Sequence, residues 1–322
     1  MSGHEKLSPI AGLHHVTAIA SDPQRNLNFY TGVLGMRLVK RTINFDDPRI
    51  YHFYFGDYNG SPGTILTFFP WPSAKRGVMG SGEAAVAAFS VPATSLGFWE
   101  SRLLAMGVRI EHQPLRFGNR VLSFSDPDGM LIELVGHTDC GRANTFKETD
   151  IPAEHAIQGF FAITLNEANL ESTGVVLEKM GFAQSDGEGN RFRFSSKSDC
   201  RGRHIDVLLH PNLGRGEIGS GSIHHIALRV SDDAAHRTWR QEILGLSLKV
   251  TPILDRTYFH SIYFREPGGI LFEIATDSPG LTFDEPLEVL GKTLKLPDWL
   301  ESQRSKIERS LPPIIASPSK IT

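Results

Sequence analysis

Two stretches of the chain repeat each other, LHHVTAIASD at positions 13–22 and IHHIALRVSD at positions 223–232. Each alternates like a short strand, ends in a Ser-Asp stop and precedes an amphipathic segment that runs into a Leu-Gly pair. The second histidine precedes that glycine by 20 positions in both copies, His15 before Gly35 and His225 before Gly245. A helix with glycine at its C-terminal end explains both segments, so the chain contains a duplicated strand–helix element.

Two weaker copies lie between these stretches. Residues 83–91 and 158–165 resemble the opening strand, and residues 94–106 and 168–180 resemble the helix, which glycine again ends. Each helix is followed by alternating strand-like runs and a glycine-containing turn before a last strand. The sequence therefore predicts an α+β protein of four βαβββ units at 12–82, 83–156, 157–221 and 222–278, after a tail at 1–11. The segment 279–322 is predicted to carry one helix, Pro297 to Leu311, and a tail.

Composition excludes several classes of protein. The 322 residues are 40% hydrophobic and 21% charged, as in ordinary globular domains. The 33 Lys+Arg and 36 Asp+Glu residues give a net charge of −3 without a long basic run, so a nucleic-acid partner is not expected. No apolar stretch approaches the roughly 20 residues that span a bilayer, so no membrane partner is expected. The two cysteines, Cys140 and Cys200, predict a reducing, cytoplasmic location rather than a disulfide framework.

The four units, opened by His-His-Val-Thr and closed by Gly-Gly-Ile-Leu-Phe-Glu, resemble the vicinal oxygen chelate superfamily, which includes glyoxalase I and extradiol ring-cleaving dioxygenases. The resemblance covers about residues 10–278. It implies that two units pair edge to edge into an incomplete mixed β-barrel around a metal ion. It also implies that the ligands come from the first and last strands of each unit.

Aligning the units shows which pairing gives a metal site. The first-strand positions hold His15, Val86, Phe160 and His225. The last-strand positions hold Thr67, Glu133, Asp206 and Glu273. If neighbouring units paired, the first and second would offer only His15 and Glu133. The third and fourth would offer His225, Glu273 and Asp206, with Phe160 at the remaining corner. Pairing the first unit with the fourth, and the second with the third, unites His15, His225 and Glu273 and places Thr67 at the fourth corner.

Two imidazoles and one carboxylate with open positions form the facial triad of non-haem Fe(II) oxygenases. We therefore expect Fe(II) as the cofactor, with Mn(II) as the second choice. Thr67 is a poor ligand, which speaks against the four-ligand sites of the glyoxalase type. The second and third units are then predicted to form a metal-free barrel, with Glu133 and Asp206 as remnants or structural residues.

Within the superfamily, the doubled histidines and the run 255–269 resemble the hydroquinone-type ring-cleaving dioxygenases. Arg256 and Tyr263 match the substrate-side Arg and Tyr of that family, and His14, Thr17 and His224 match residues flanking its metal. Arg256 would stabilise a phenolate, and Tyr263, His224 or His14 would act as the base.

Each assignment has a structural alternative. His14 and His224 could be hydrogen-bonded structural residues, because neighbouring residues on a strand face opposite sides. Arg256 could be a surface ion-pair partner. Tyr263 could be a core aromatic, since Tyr54 occupies its place in the first unit. Of the other histidines, only His260, close to the Arg256–Tyr263 run, merits mutation.

The predicted function is opening of a 1,4-dihydroxy aromatic ring with O₂, by a homodimer or homotetramer. A catechol-type extradiol dioxygenase has the same metal and differs in its substrates. A non-redox glyoxalase-like isomerase or thiol transferase would use Zn²⁺ or Mn²⁺ without O₂. A quinone-binding protein without catalysis has no need of a His/His/Glu triad.

Overall fold

The computed structural model describes residues 9–112, 114–138, 144, 148–198 and 201–315, whose strands form two eight-stranded sheets. The first and fourth units share one sheet, in which the opening strands of the two units lie side by side and antiparallel. The second and third units share the other, joined in the same way through their opening strands. The predicted α+β architecture and the pairing of first with fourth and second with third units are therefore confirmed.

Every unit follows the order strand, helix, three strands. In the first unit the elements are β1 Leu13–Ala20, α1 Pro23–Asn28, β2 Arg37–Asn44, β3 Asp47–Gly56 and β4 Ile65–Pro70. In the second they are β5 Glu83–Pro92, α2 Leu96–Ala105, β6 Ile110–His112, β7 Val121–Ser125 and β8 Leu131–His137. In the third they are β9 Phe160–Glu167, α3 Leu170–Lys179, β10 Ala183–Glu188, β11 Arg191–Ser195 and β12 His204–Leu209. In the fourth they are β13 Ile223–Val230, α4 Asp233–Gly245, β14 Leu254–Asp255, β15 Phe259–Arg265 and β16 Leu271–Pro279.

In the first and fourth units, the aspartate of the Ser-Asp pair that follows the opening strand caps the start of the helix. Asp22 accepts a hydrogen bond from the backbone N–H of Arg25, and Asp232 accepts two from the first turn of α4. Such caps satisfy N–H groups that a helix leaves free at its start. The helix predicted after the first strand is α-helical only to Asn28 and continues as a π-helical turn, Phe29–Val33.

The strand register corrects one alignment of the sequence. Thr17 pairs with Thr67 between β1 and β4, and Thr164 pairs with Asp206 between β9 and β12. The equivalent of His15 in the third unit is therefore Ala162, and the assignment of Phe160 was wrong by two residues. Side chains on a strand alternate with a period of two, so a shift of two keeps the same face inward and leaves the hydrophobic pattern unchanged.

The C-terminal segment packs on the first sheet. The single predicted helix from Pro297 to Leu311 is two short helices, α5 Asp298–Glu301 and α6 Arg304–Ser310. Leu300, Ile307 and Leu311 form the apolar stripe expected of one helix and pack against the core, but the helix is interrupted at Ser302 and Gln303. Within the described part of the chain, no helix combines the length and apolar character needed to cross a membrane.

Candidate metal centre

Three predicted ligands converge in the first sheet. His15 on β1, His225 on β13 and Glu273 on β16 are buried, and one ligand atom from each lies within 4.8 Å of the others. Glu273 Oε2 is 3.3 Å from His15 Nε2 and 3.0 Å from His225 Nε2. The ladder makes this possible, because His225 pairs with Thr17 on β1 and Glu273 pairs with Ala227 on β13.

The three residues fit a divalent cation. Glu273 is fully buried, yet among the described residues its Oε2 has no partner beyond the imidazoles of His15 and His225. Burial alone raises the pKa of Glu273, but His15 and His225 hold it well below its usual value, so the carboxylate is ionised. An ionised, unpartnered oxygen in an apolar interior is costly unless it pairs with a charge or binds a metal. Two imidazoles and one carboxylate form a donor set suited to Fe(II) and related divalent ions.

The first histidine of each doublet, His14 or His224, hydrogen-bonds to the second, which is the predicted ligand. The Nδ1 atoms of His14 and His15 are 2.9 Å apart, and those of His224 and His225 are 2.8 Å apart. One Nδ1 in each pair must carry the proton. If the ligands turn unprotonated Nε2 atoms to the centre, their Nδ1–H groups donate to His14 and His224. These neighbours then fix the tautomer of the ligands, as partners of metal-binding histidines commonly do.

The two supporting histidines differ in their surroundings. His14 is buried, and the backbone of Thr276 also hydrogen-bonds to its ring. His224 lines the central cavity. Burial lowers the pKa of His14 well below its usual value and lowers that of His224 to about 3, so both rings are neutral. The register shift between Leu13 and His15 on β1 is the irregularity that adjacent inward-turned histidines require.

The fourth corner, at Thr67 on β4, carries hydroxyl groups in place of a metal ligand. The Oγ1 atoms of Thr67 and Thr17 lie 2.8 Å apart, and His52 Nε2 lies 2.9 Å from Thr67 Oγ1. The Tyr54 hydroxyl is 3.0 Å from the other ring nitrogen of His52. Thr17 therefore contacts the fourth corner. The sequence analysis missed His52, although it stands two residues before Tyr54, the recognised counterpart of Tyr263.

A cavity of about 250 Å³ opens beside the three ligands. Arg256 lies on its wall, with its guanidinium carbon 5.4 Å from the ring centre of Tyr263 and one nitrogen 3.7 Å from Asp46. Burial, followed by the charge of Glu273, raises the pKa of Tyr263 above its usual value. Tyr263 is thus a protonated hydroxyl facing the cavity, as well as an aromatic wall.

The remaining walls are mainly aromatic and apolar. The side chains concerned are Ile19, Phe45, Phe69, Trp71, Phe259 and Leu271. The sequence did not single out these residues or Asp46, because they come from separate strands and loops and share no motif. His260 lies elsewhere, at a surface cavity where its Nδ1 is 2.6 Å from Asp233 Oδ1. Cys140 and Cys200 lie outside the described residues.

In the second sheet, the acidic residues at the positions equivalent to Thr67 and Glu273 form ion pairs with arginines. Arg116 donates two hydrogen bonds to Glu133, one of them at 2.8 Å. Arg193 donates two to Asp206, at 2.7 and 2.9 Å, and Arg191 donates a third at 3.3 Å. Glu133 and Asp206 are thus neutralised by arginines. Among the described residues, the triad in the first sheet is the cluster of metal-binding side chains that meets the geometric requirements.

Known proteins resemble this chain along most of its length. MhqO of Bacillus subtilis, named as a ring-cleaving dioxygenase, is 46% identical and covers 94% of the chain and 96% of its own length. The chlorohydroquinone/hydroquinone 1,2-dioxygenase of Sphingobium indicum is 32% identical, with 94% and 96% covered. A solved Bacillus subtilis protein described as a dioxygenase superposes with a TM-score of 0.93 at 44% identity, covering 96% of this chain and 99% of its own.

More distant likenesses concern the fold. Glyoxalase I from Zea mays superposes with a TM-score of 0.63 at 15% identity, covering 87% of this chain and 96% of that one. The family model described as Glyoxalase/Bleomycin resistance protein/Dioxygenase superfamily matches residues 12–134. With the relatives that match almost end to end, these findings show that the chain belongs to this superfamily and, within it, to the ring-cleaving dioxygenases.

Proposed function

We propose that this protein opens the ring of a 1,4-dihydroxybenzene with O₂ at an Fe(II) held by His15, His225 and Glu273. The observation that carries the proposal is the buried triad whose fourth corner holds the Thr67 hydroxyl in place of a ligand. The hydroquinone preference is supported by the relative whose name specifies chlorohydroquinone and hydroquinone. Fe(II) would supply a Lewis acid that lowers the pKa of a substrate hydroxyl, together with a site for dioxygen.

The cavity walls would orient the ring. A cavity of about 150 Å³ is enough for benzene, so about 250 Å³ admits one substituted ring. The aromatic walls favour offset or edge contacts with a planar guest. Stacking on Phe69 and packing against Leu271 would hold the ring and exclude water from it.

Three side chains would handle charge and protons. Arg256 presents a permanent positive charge to the cavity and would stabilise an ionised ring oxygen. Tyr263 retains its proton and would donate a hydrogen bond. His224 is a neutral imidazole on the cavity wall, and because its Nδ1 accepts from His225, its Nε2 carries the proton and would donate a hydrogen bond to a substrate oxygen. His14, which is enclosed and hydrogen-bonded to backbone, would serve only to position His15.

The test is O₂ uptake after anaerobic loading with Fe(II), using hydroquinone, methylhydroquinone and catechol. The variant Glu273→Gln removes the ligand charge. Glu133→Gln makes the same change at the equivalent corner of the second sheet and is the matched control. We expect uptake with the hydroquinones in the wild type and in Glu133→Gln, and its loss in Glu273→Gln. Uptake with catechol alone would refute the substrate assignment, and an iron-loaded protein without uptake would refute the reaction.

A further inference from the structure

The two oxygens of Glu273 have different surroundings. Oε1 accepts a short hydrogen bond from the Ser261 hydroxyl. In the part of the chain that the structure describes, Oε2 has no neighbour to bond beyond the imidazoles of His15 and His225, at 3.3 and 3.0 Å. Ser261 and Glu273 are both 0% exposed, so water does not compete for Oε1. The serine therefore distinguishes two chemically identical oxygens.

The position of Ser261 recurs in the repeated units. Ser261 stands two residues before Tyr263, which pairs with Glu273 across the β15–β16 ladder. In the first unit His52 stands two residues before Tyr54, which pairs with Thr67, and His52 hydrogen-bonds to Thr67. In the third unit Arg191 has the same relation to Arg193 and Asp206, and it too contacts the corner residue. In three of the four units the fold thus places this side chain where it can hold the corner group, whereas the second unit has Val121 at this position.

We propose that Ser261 commits Glu273 to bind the metal through Oε2 alone, and so keeps free a coordination position that Oε1 would otherwise occupy. This inference rests on the proposed metal site. A carboxylate can bind a cation through one oxygen or both. An oxygen that already accepts a hydrogen bond from a buried hydroxyl must give up that bond before it can turn to the ion, which leaves the serine unsatisfied. Ser261 is therefore a positioning residue that acts through Glu273.

Mn(II) is a suitable probe, because its bound waters are counted by their effect on water-proton relaxation and the readout needs no turnover. An octahedral ion with three single-atom protein ligands retains three further positions, so a second oxygen from Glu273 would remove about one third of the bound water. Ser261→Ala removes the hydroxyl alone. Ser261→Thr keeps it, and Ser90→Ala is a control for a buried serine, since the Ser90 hydroxyl has no hydrogen-bond partner.

We expect the relaxivity per bound Mn(II) to fall by about one third in Ser261→Ala, and to stay at the wild-type value in Ser261→Thr and Ser90→Ala. Competition with a chelator establishes that each variant is saturated with Mn(II) before its relaxivity is compared. Far-ultraviolet circular dichroism verifies folding, and Ser261→Cys, which keeps the volume and is only a weak donor, repeats the test if the alanine variant does not fold.

The outcomes separate the two proposals. If saturated Ser261→Ala retains the relaxivity of the wild type, Ser261 does not set how Glu273 binds and the inference is overturned, whatever the affinity. If the wild type binds Mn(II) no better than Glu273→Gln does, the metal site itself is refuted. A fall in relaxivity confined to Ser261→Ala supports both.

Discussion

Thr257 has a backbone conformation that its side chain disfavours, and replacing it by glycine tests how the chain holds Arg256. Its φ is +70°, a left-handed value that is unusual for a β-branched residue. The turn is pinned on both sides, because the Thr257 N–H donates to Asp255 Oδ1 at 2.7 Å and the Tyr258 N–H donates to the Arg256 carbonyl at 2.8 Å. Arg256 thus enters the cavity from a rigid, strained turn.

The magnitude follows from two opposing contributions. A left-handed conformation costs an ordinary residue about 1–2 kcal/mol, and glycine escapes that cost. Glycine loses about 0.5–1 kcal/mol more backbone entropy on folding. We therefore expect Thr257→Gly to raise the free energy of unfolding by about 0.5–1 kcal/mol. If the freedom of glycine persists in the folded turn, Arg256 is held less firmly and kcat/KM falls by about two- to fivefold.

The assay is urea unfolding together with steady-state O₂ uptake. Ser247→Gly is the matched control, because Ser247 is exposed and also has a left-handed φ, of +61°. Both variants should gain stability, and only Thr257→Gly should lose activity. A loss of stability in Thr257→Gly with a gain in Ser247→Gly would refute the view that the Arg256 turn is strained. Equal activities would show that the turn does not position Arg256.

Three further changes probe other parts of the chain. Thr67→Glu places a carboxylate at the fourth corner and should tighten Mn(II) binding while abolishing O₂ uptake; unchanged metal affinity would show that this corner does not face the ion. Burial, then the charge of Glu266, raises the pKa of Glu167 to about 8, whereas an unfolded glutamate has a pKa of about 4.3. As the pH rises, the unfolded chain releases this proton before the folded chain does, so the stability of the wild type should fall between these two pH values. In thermal unfolding, Glu167→Gln should show a smaller change of stability with pH, and equal changes in the two proteins would contradict this. Lys40 is fully buried and its Nζ lies 2.6 Å from Asp284 Oδ1 and 2.5 Å from Glu285 Oε2. Lys40→Met should therefore cost about 3–5 kcal/mol in urea unfolding by removing the cation that both acids contact, and a loss below 1 kcal/mol would argue against it.

The residues of the triad could be predicted because they combine chemistry with strand periodicity. His15 and His225 recur at the same distance before a helix-ending glycine, and Glu273 interrupts an apolar strand. Each fact is local, and the choice of pairing then followed from asking which units together give a usable site. The structure brings the three residues together in one sheet, as that reasoning required.

The supporting residues could not be predicted in this way, because their roles exist only across strands. Ser261 is an ordinary serine in a strand until β15 and β16 pair and bring it to Glu273. The environments of His14 and His224 differ through contacts with Thr276 and the cavity, whereas their sequence neighbourhoods are alike. Their different roles therefore remain proposals that a sequence pattern alone could not have separated.

The contrast between the two sheets shows how one fold produces both a metal site and a structural core. The equivalent corners in the second sheet, Glu133 and Asp206, are as buried as Glu273, so they also require positive charge nearby. Arginine supplies it there, through Arg116 and Arg193, which fill the space with guanidinium groups. At the Glu273 corner Ser261 satisfies one oxygen only, and the unsatisfied oxygen faces two imidazoles. Where an arginine reaches the corner carboxylate, as at Glu133 and Asp206, the protein itself neutralises it; at Glu273 no arginine is among its hydrogen-bond partners in the described residues, and the second oxygen stays available to a cation.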